Sequence, residues 1–138
     1  MVEFTSEYLG DLRCRAIHGP SSTEIFTDAP TDNLGKGAYY SPTDLAATAL
    51  GTCMMTTMAI IAKKQNLDVD LRGMTSHIAK EMTTETPRKI SEIKVTLTLP
   101  IPATHPAREI LEAAAEGCPV ARSLHPDIHQ NLTFHYAE

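Results

Sequence analysis

The sequence predicts an α+β fold with a mainly antiparallel sheet, built as one domain over residues 1–138. The first ground is the order of patterns along the chain, β-β-α-β-β-α-α-β, which contains few of the strand-helix-strand crossovers that build parallel sheets. The second is an apolar helical segment, 42–65, with no charged side chain from 45 to 62. The third is size: 138 residues with 42% hydrophobic and 21% charged side chains suit one ordinary globular core and argue against disorder or a fibrous repeat.

Residues 5–17 mix polar and apolar side chains, His18-Gly19-Pro20-Ser21-Ser22 is turn chemistry, and 23–27 is a short apolar run. Together they predict a hairpin. Segment 28–40 carries Pro30, Asp32, Asn33, Gly35 and Gly37, a composition that favours loop over regular structure. Ser41-Pro42-Thr43-Asp44 then marks a helix start, with Ser41 placed to cap, Pro42 at the first helical position and Asp44 at the positive end of the dipole. The helix runs on to about residue 65, and its apolar residues surround the cylinder, the pattern of a helix enclosed by protein on most sides. A monomer of this size can hardly cover such a helix, so a dimer interface is expected around it.

Residues 69–82 and 89–99 are expected as a long antiparallel hairpin around Glu85-Thr86-Pro87-Arg88, the second strand alternating as Ile90, Ile93, Val95, Leu97 and Leu99. The prolines of 100–106 break that pattern. Residues 107–117 then read as an Ala- and Glu-rich helix that Gly117 ends. Cys118-Pro119-Val120 opens a second short helix to about residue 124, and Leu132, Phe134 and Tyr136 alternate in a closing strand.

A net charge of −5 and a pI near 5.6, with the 12 Lys and Arg scattered, argue against nucleic acid as a partner. Met1-Val2-Glu3-Phe4 lacks the basic region and apolar run of a secretory signal, so the expected compartment is the cytoplasm. Segment 45–62 approaches membrane-spanning length, but Gly51, Thr48, Thr52, Thr56 and Thr57 and the scarcity of large aliphatics favour the buried helix of a soluble core. No membrane partner is expected.

The 3 cysteines do not form a disulfide framework, which belongs to oxidising compartments and usually to even counts. No Cys-x-x-Cys and no neighbouring His at ligand spacing supports a metal site, and none is expected. Cys53 lies mid-helix between Gly51-Thr52 and Met54-Met55; taken alone it reads as a small buried hydrophobe. Cys118 precedes Pro119 at a helix start, where free N–H groups and the dipole lower a thiol pKa, so a reactive and a buried reading both stand. Together, a mid-core thiol and a helix-cap thiol suit a peroxidatic and resolving pair. Cys14, between Arg13 and Arg15, reads as an ordinary strand cysteine, because alternation sends both arginines to the opposite face. Among the 6 histidines, His125 and His129 are four apart with Pro126 between them, and none forms a ligand constellation. Met54, Met55 and Met58 read as core.

Two stretches, Ser41-Pro42-Thr43-Asp44-Leu45-Ala46-Ala47-Thr48-Ala49-Leu50-Gly51-Thr52-Cys53 and Cys118-Pro119-Val120-Ala121-Arg122-Ser123-Leu124, resemble the OsmC/Ohr family. Thr27-Asp28-Ala29-Pro30 and Gly35-Lys36-Gly37 resemble its lead-in to the helix. The resemblance implies an OsmC-like fold, with antiparallel sheets wrapped around long central helices in an intertwined homodimer. It implies a thiol-dependent peroxidase in oxidative or osmotic stress defence, without a cofactor, in which Cys53 becomes a sulfenic acid and Cys118 resolves it. The partners so implied are a small organic hydroperoxide, or hydrogen peroxide, and a thiol or lipoyl-type reductant. Family members with peroxidase activity carry Glu where this chain has Thr43, its acid being displaced to Asp44. They also carry an N-terminal Arg that holds the thiolate, for which Arg15 or Arg13 is the nearest match. Arg15 and Asp44 are thus the candidate supports of the thiolate, Asp44 having helix capping as its other role. The alternative is a non-catalytic, ligand-binding or stress-structural OsmC-like dimer.

Overall fold

Alternation and helical periodicity place most elements of the computed structural model, which describes residues 1–138. Strands β1 (Phe4–Gly10), β2 (Arg13–His18) and β3 (Glu24–Asp28) precede helix α1 (Pro42–Lys64). Then follow β4 (Thr75–Met82), β5 (Ile90–Pro102), α2 (Arg108–Glu116), α3 (Pro119–Ser123) and β6 (His129–Ala137). The fold is α+β, as the pattern predicts. The chain forms two compact units, Met1–Ala46 and Ala47–Glu138.

The first unit contains a three-stranded antiparallel sheet in the order β1-β2-β3. One strand run was expected over 5–17; a turn splits it, because Gly10, Asp11 and Leu12 take φ of 87°, 52° and 63°. Three consecutive left-handed residues cannot continue a strand, and only the first is a glycine. Alternation along β2 sends Arg13 and Arg15 to one face, where carboxylates meet them. Arg15 reaches Glu7 at 3.4 Å and Glu24 at 3.5 Å, and Arg13 reaches Asp28 at 3.4 Å.

The Asp28 side chain is fully buried and also accepts the Ala38 N–H at 3.0 Å. With Asp28 N–H donating to the Tyr40 carbonyl, one residue fastens both ends of the 38–40 return to the end of β3. Charge-assisted bonds of this kind favour the carboxylate, and Ala38 N–H followed by Arg13 holds its pKa below the ordinary value. Helix α1 begins with a reciprocal cap: Ser41 N–H donates to Asp44 Oδ2 at 2.9 Å and Asp44 N–H to Ser41 Oγ at 3.1 Å.

In the second unit the order is β4-β5-β6. β4 and β5 form the expected antiparallel hairpin, Thr75 opposite Thr98 and Ile78 opposite Val95. Residues 69–74 lie outside the strand. β5 runs beyond the expected stop, through Pro100. The proline is tolerated because pairing with β4 ends at Thr98 and the register with β6 shifts between Leu99 and Pro102. β6 runs parallel to β5, the one departure from a mainly antiparallel pattern, since α2 and α3 carry the chain back to the starting end of β5. Ile93, Val95, Leu97, Leu99 and Ile101 of β5 point into the core.

Within one chain α1 buries a single stripe, Ala47, Leu50, Gly51, Met54 and Met58, rather than its whole circumference. A third of its most apolar window is buried; Ile60 on the other side is 45% exposed. By length and a mean hydropathy of 1.7 the helix could cross a bilayer, but the buried stripe is that of a core helix. At Gly51 the helix packs tightly on β4. A Cβ there would stand 2.5 Å from Ile78 Cδ1, 2.8 Å from Ile78 Cγ1 and 3.2 Å from Ser76 Oγ.

Two stability predictions follow from these contacts. Alanine outranks glycine in a helix by about 1 kcal/mol, but overpacking a fitted contact costs about 1–3 kcal/mol. Gly51→Ala is therefore expected to destabilise the fold by roughly 1 kcal/mol in urea unfolding, the difference of those two effects. Ile78→Val should cost less in that background than in the wild type, because it vacates the crowded position; additive costs would contradict the contact. Asp28, with a lowered folded pKa, contributes stability above the ordinary carboxylate pKa of about 3.9 and loses it as pH falls through its folded value. Asp28→Asn should lower the neutral-pH melting temperature and flatten the acid limb, measured by circular dichroism from neutral to strongly acidic pH.

Candidate functional site

Two free thiols meet in the second unit. Cys53 is carried by α1 beside the buried stripe and is half-buried; Cys118 is fully buried at the start of α3. Met54 and Met58 fill the core around the stripe, as expected of them, and Met55 is half-buried.

Several bonds hold Cys118 in place. α2 ends at Gly117, whose N–H donates to the Ala113 carbonyl at 3.1 Å, and Cys118 N–H donates to the Ala115 carbonyl at 3.3 Å. Arg122 Nε then returns to the Gly117 carbonyl at 2.8 Å, fastening the α2–α3 corner. Gln130 Nε2 donates to the Ala121 carbonyl at 3.0 Å and ties α3 to β6. α2 is locked to the same strand by a polar cluster in which Tyr136 donates to Glu112. Arg108 Nε also reaches Glu112, at 2.9 Å, with its guanidinium 4.9 Å from the Tyr136 ring centre. Burial and the Glu112 carboxylate push the Tyr136 hydroxyl up to about 12, so it stays a donor through the physiological range.

The Cys118 sulfur accepts the Ala121 N–H at 3.4 Å, the capping position expected of it. Its acidity departs from the expectation. Burial raises the thiol pKa and outweighs the Ala121 N–H, which lowers it; the neighbouring Cys53 side chain raises it further, by hydrogen bonding and by charge. The physical reason is scale: α3 has five residues, little more than one turn, so few peptide dipoles align behind the sulfur while no water reaches it. That influence places the two cysteines, 65 positions apart in the chain, close to each other.

Cys53 has a second polar neighbour that sequence reasoning left in the core. Thr57 Oγ1 lies 3.8 Å from Cys53 Sγ, one helical turn along the same face. The i,i+4 spacing of a hydroxyl and a thiol was the available signal.

The other candidates belong to the first unit. Arg15 is shared between Glu7 and Glu24, Arg13 is held by buried Asp28, and Asp44 forms the reciprocal cap with Ser41. Cys14 pairs across the strands with Tyr8 and Thr27. The histidines are dispersed: His125 interacts with Asp127 at 3.7 Å and His129 with Glu92 at 3.5 Å. No group of three or more His, Cys, Asp or Glu side chains is arranged to hold a metal ion.

An open thiol beside a buried one can do specific chemistry. Oxidation of the accessible sulfur leaves an electrophile next to a second thiol, and condensation of the two gives a disulfide.

Comparison with known proteins bears on the whole chain. A family model described as OsmC-like protein matches residues 35–133. The chain is similar to a crystal structure from Psychrobacter arcticus 273-4, a protein provisionally named for osmotic stress induction and detoxification response. The two are 42% identical with a TM-score of 0.89, over 98% of this chain and 96% of that one. An organic hydroperoxide resistance protein OsmC of Legionella pneumophila shares the fold at 17% identity and a TM-score of 0.74, over 98% and 96% of the two chains. The organic hydroperoxide resistance protein OhrB of Bacillus subtilis does so at 16% identity and 0.70, over 97% of each. No curated protein matches the chain. The extent of the family match, the Psychrobacter likeness and the pairing of the two motif cysteines lead to one assignment: the chain belongs to the OsmC/Ohr family.

Proposed function

We propose that this protein is a cytoplasmic, homodimeric thiol peroxidase that reduces organic hydroperoxides, and hydrogen peroxide less well, in stress defence. The observation that carries the reading is the contact between a half-buried and a fully buried thiol. The names of the Legionella and Bacillus relatives, organic hydroperoxide resistance proteins, support the substrate class. The exposed apolar side of α1 supports the dimer, since a second copy would cover it.

In the proposed reaction the Cys53 thiolate attacks the terminal peroxide oxygen, the O–O bond breaks, and the alkoxide leaves and takes a proton as alcohol. Cys53 becomes a sulfenic acid. The Cys118 sulfur then attacks the Cys53 sulfur, an S–S bond forms, and the hydroxyl leaves as water with the Cys118 proton. A dithiol reductant of thiol or lipoyl type returns both cysteines to thiols and is itself oxidised to a disulfide. Roles follow from access: the half-buried sulfur meets the peroxide, the buried one waits. The cation that favours the Cys53 thiolate is assigned to Arg15 or Arg13, acting from the second copy, with Asp44 in support.

The rival reading, a non-catalytic ligand-binding or stress-structural dimer, draws on Thr43 standing where peroxidase-active relatives carry Glu, and on Asp44 being engaged as a cap. Peroxide turnover separates the two. Reduced protein with cumene hydroperoxide and a dithiol should consume peroxide, and Cys53→Ser should reduce the rate to background. Equal rates would leave the binding reading. Cys118→Ser should still form a Cys53 sulfenic acid, detected as a dimedone adduct, but form no intramolecular disulfide and lose at least about tenfold in turnover.

The pH dependence has a definite sign. Because burial raises the Cys118 pKa, this thiol is protonated at neutral pH and its nucleophilic form grows as pH rises. Disulfide closure, followed by stopped-flow after a single peroxide addition, should therefore accelerate continuously from neutral pH through the ordinary thiol range. A rate that is flat there would contradict Cys118 as the attacking group.

A further inference from the structure

We propose that Thr57 donates a hydrogen bond from its hydroxyl to the Cys53 thiolate and so selects Cys53, rather than Cys118, as the ionised member of the pair. The proposal rests on the reading of Cys53 as the reactive thiol.

Three threonines on the same helix supply the internal comparison. Thr52 Oγ1 donates to the Thr48 carbonyl at 2.9 Å and Thr56 Oγ1 to the Thr52 carbonyl at 2.9 Å, both on the exposed side of α1. These are the usual back-bonds of a helical threonine, and they use up the hydroxyl proton. Thr57 differs: it is half-buried, and its hydroxyl lies 3.8 Å from Cys53 Sγ, within reach of a sulfur acceptor.

Ionisation fixes the direction of that bond. While Cys53 is a thiol, either the S–H or the O–H can donate. Once the sulfur is a thiolate it has no proton, so the threonine hydroxyl is the donor and the bond becomes charge-assisted. A contact that strengthens on loss of the proton favours the ionised form.

The surroundings make such a neutral donor matter. Helix α1 has no charged side chain from 45 to 62, and the Cys118 thiol is a titratable neighbour of Cys53. That neighbour is buried and protonated, and its backbone donor, Ala121 N–H, is directed at its own sulfur. Thr57 thus gives Cys53 a side-chain donor where Cys118 has only the start of a five-residue helix. In the peroxide reaction the hydroxyl would touch the reacting sulfur without exchanging its own proton, as a positioning and thiolate-stabilising group.

The test reads alkylation, not peroxide turnover. Full-length reduced protein is treated with iodoacetamide across pH, and the rate at Cys53 is followed by peptide mass spectrometry, with Cys14 and Cys118 resolved separately. Thr57→Val, which keeps the shape and removes the hydroxyl, should move the Cys53 profile to higher pH and slow its alkylation at pH 7 by about three- to tenfold. Thr57→Ser should stay within about twofold of the wild type, because it keeps the donor. Thr57→Ala, with a good helix former at the position, serves as the second loss variant should the valine protein not fold. Loss variants within twofold of the wild type, or a serine variant as slow as valine or alanine, would overturn the proposal. The peroxidase reading fails separately, through absence of peroxide consumption in a wild type whose Cys53 profile still depends on the Thr57 hydroxyl.

Discussion

The close approach of α1 to β4 at Gly51 is the constraint on which the thiol pair depends. A helix presents neighbouring faces every 3.6 residues, so fixing which residues face the sheet also fixes where Cys53 points. Here Ala47, Leu50, Gly51, Met54 and Met58 face inward, and Cys53 is left at the border of the stripe, half open. A side chain at 51 would meet Ile78, so that either Ile78 or the helix must shift. A movement of the helix would change where Cys53 points relative to Cys118. The absence of a Cβ at one position thereby helps set how α1, and with it Cys53, lies on β4.

Cys118 is held by a different kind of structure. Its corner is built from polar contacts: Arg122 on the Gly117 carbonyl, Gln130 on the Ala121 carbonyl, and the Arg108, Glu112 and Tyr136 cluster between α2 and β6. Such directional bonds suit a residue that must be buried yet stay in register with a partner, because apolar packing alone tolerates small rotations. Burial then sets the chemistry. It holds Cys118 in its thiol form at neutral pH, the form the proposed cycle requires until Cys53 is oxidised.

Much of this was legible in the sequence because it depends on local rules. The start of α1 could be read from Ser41, Pro42 and Asp44, the alternation of β5 from Ile93, Val95, Leu97 and Leu99, and the α2–α3 corner from Gly117-Cys118-Pro119. What escaped depends on non-local facts. The turn at 10–12 requires Asp11 and Leu12 in left-handed conformations that their side chains do not advertise. Pro100 stops a strand only if both of its edges are paired there, and pairing is decided by β4 and β6. The direction of β6 follows from how far two short helices carry the chain. The acidity of Cys118 differs from what its helix start predicts for a similar reason: a helix start can be seen in sequence, but the burial around it cannot. Family resemblance identified Cys53, whereas its placement in the middle of an apolar helix suggested only core.

The lack of charge along α1 from 45 to 62 has a chemical logic of its own. In the proposed cycle the reduced pair and the disulfide are both neutral, and the thiolate is the only ion the protein itself must form. An unpaired charge on the helix itself would be costly to bury through the neutral stages. A hydroxyl such as Thr57 avoids that cost: it is neutral throughout, weakly engaged when Cys53 is protonated, and a charge-assisted donor once the proton is gone. The placement of Asp44 fits the same economy. With Thr43 at the preceding position, the carboxylate of this helix start is bonded to the Ser41 N–H, where the helix dipole also favours it, and fixed negative charge is spent on beginning the helix. In the proposed cycle the neutral Thr57 hydroxyl then acts beside the arginine assigned from the second copy, engaging the sulfur when it is ionised.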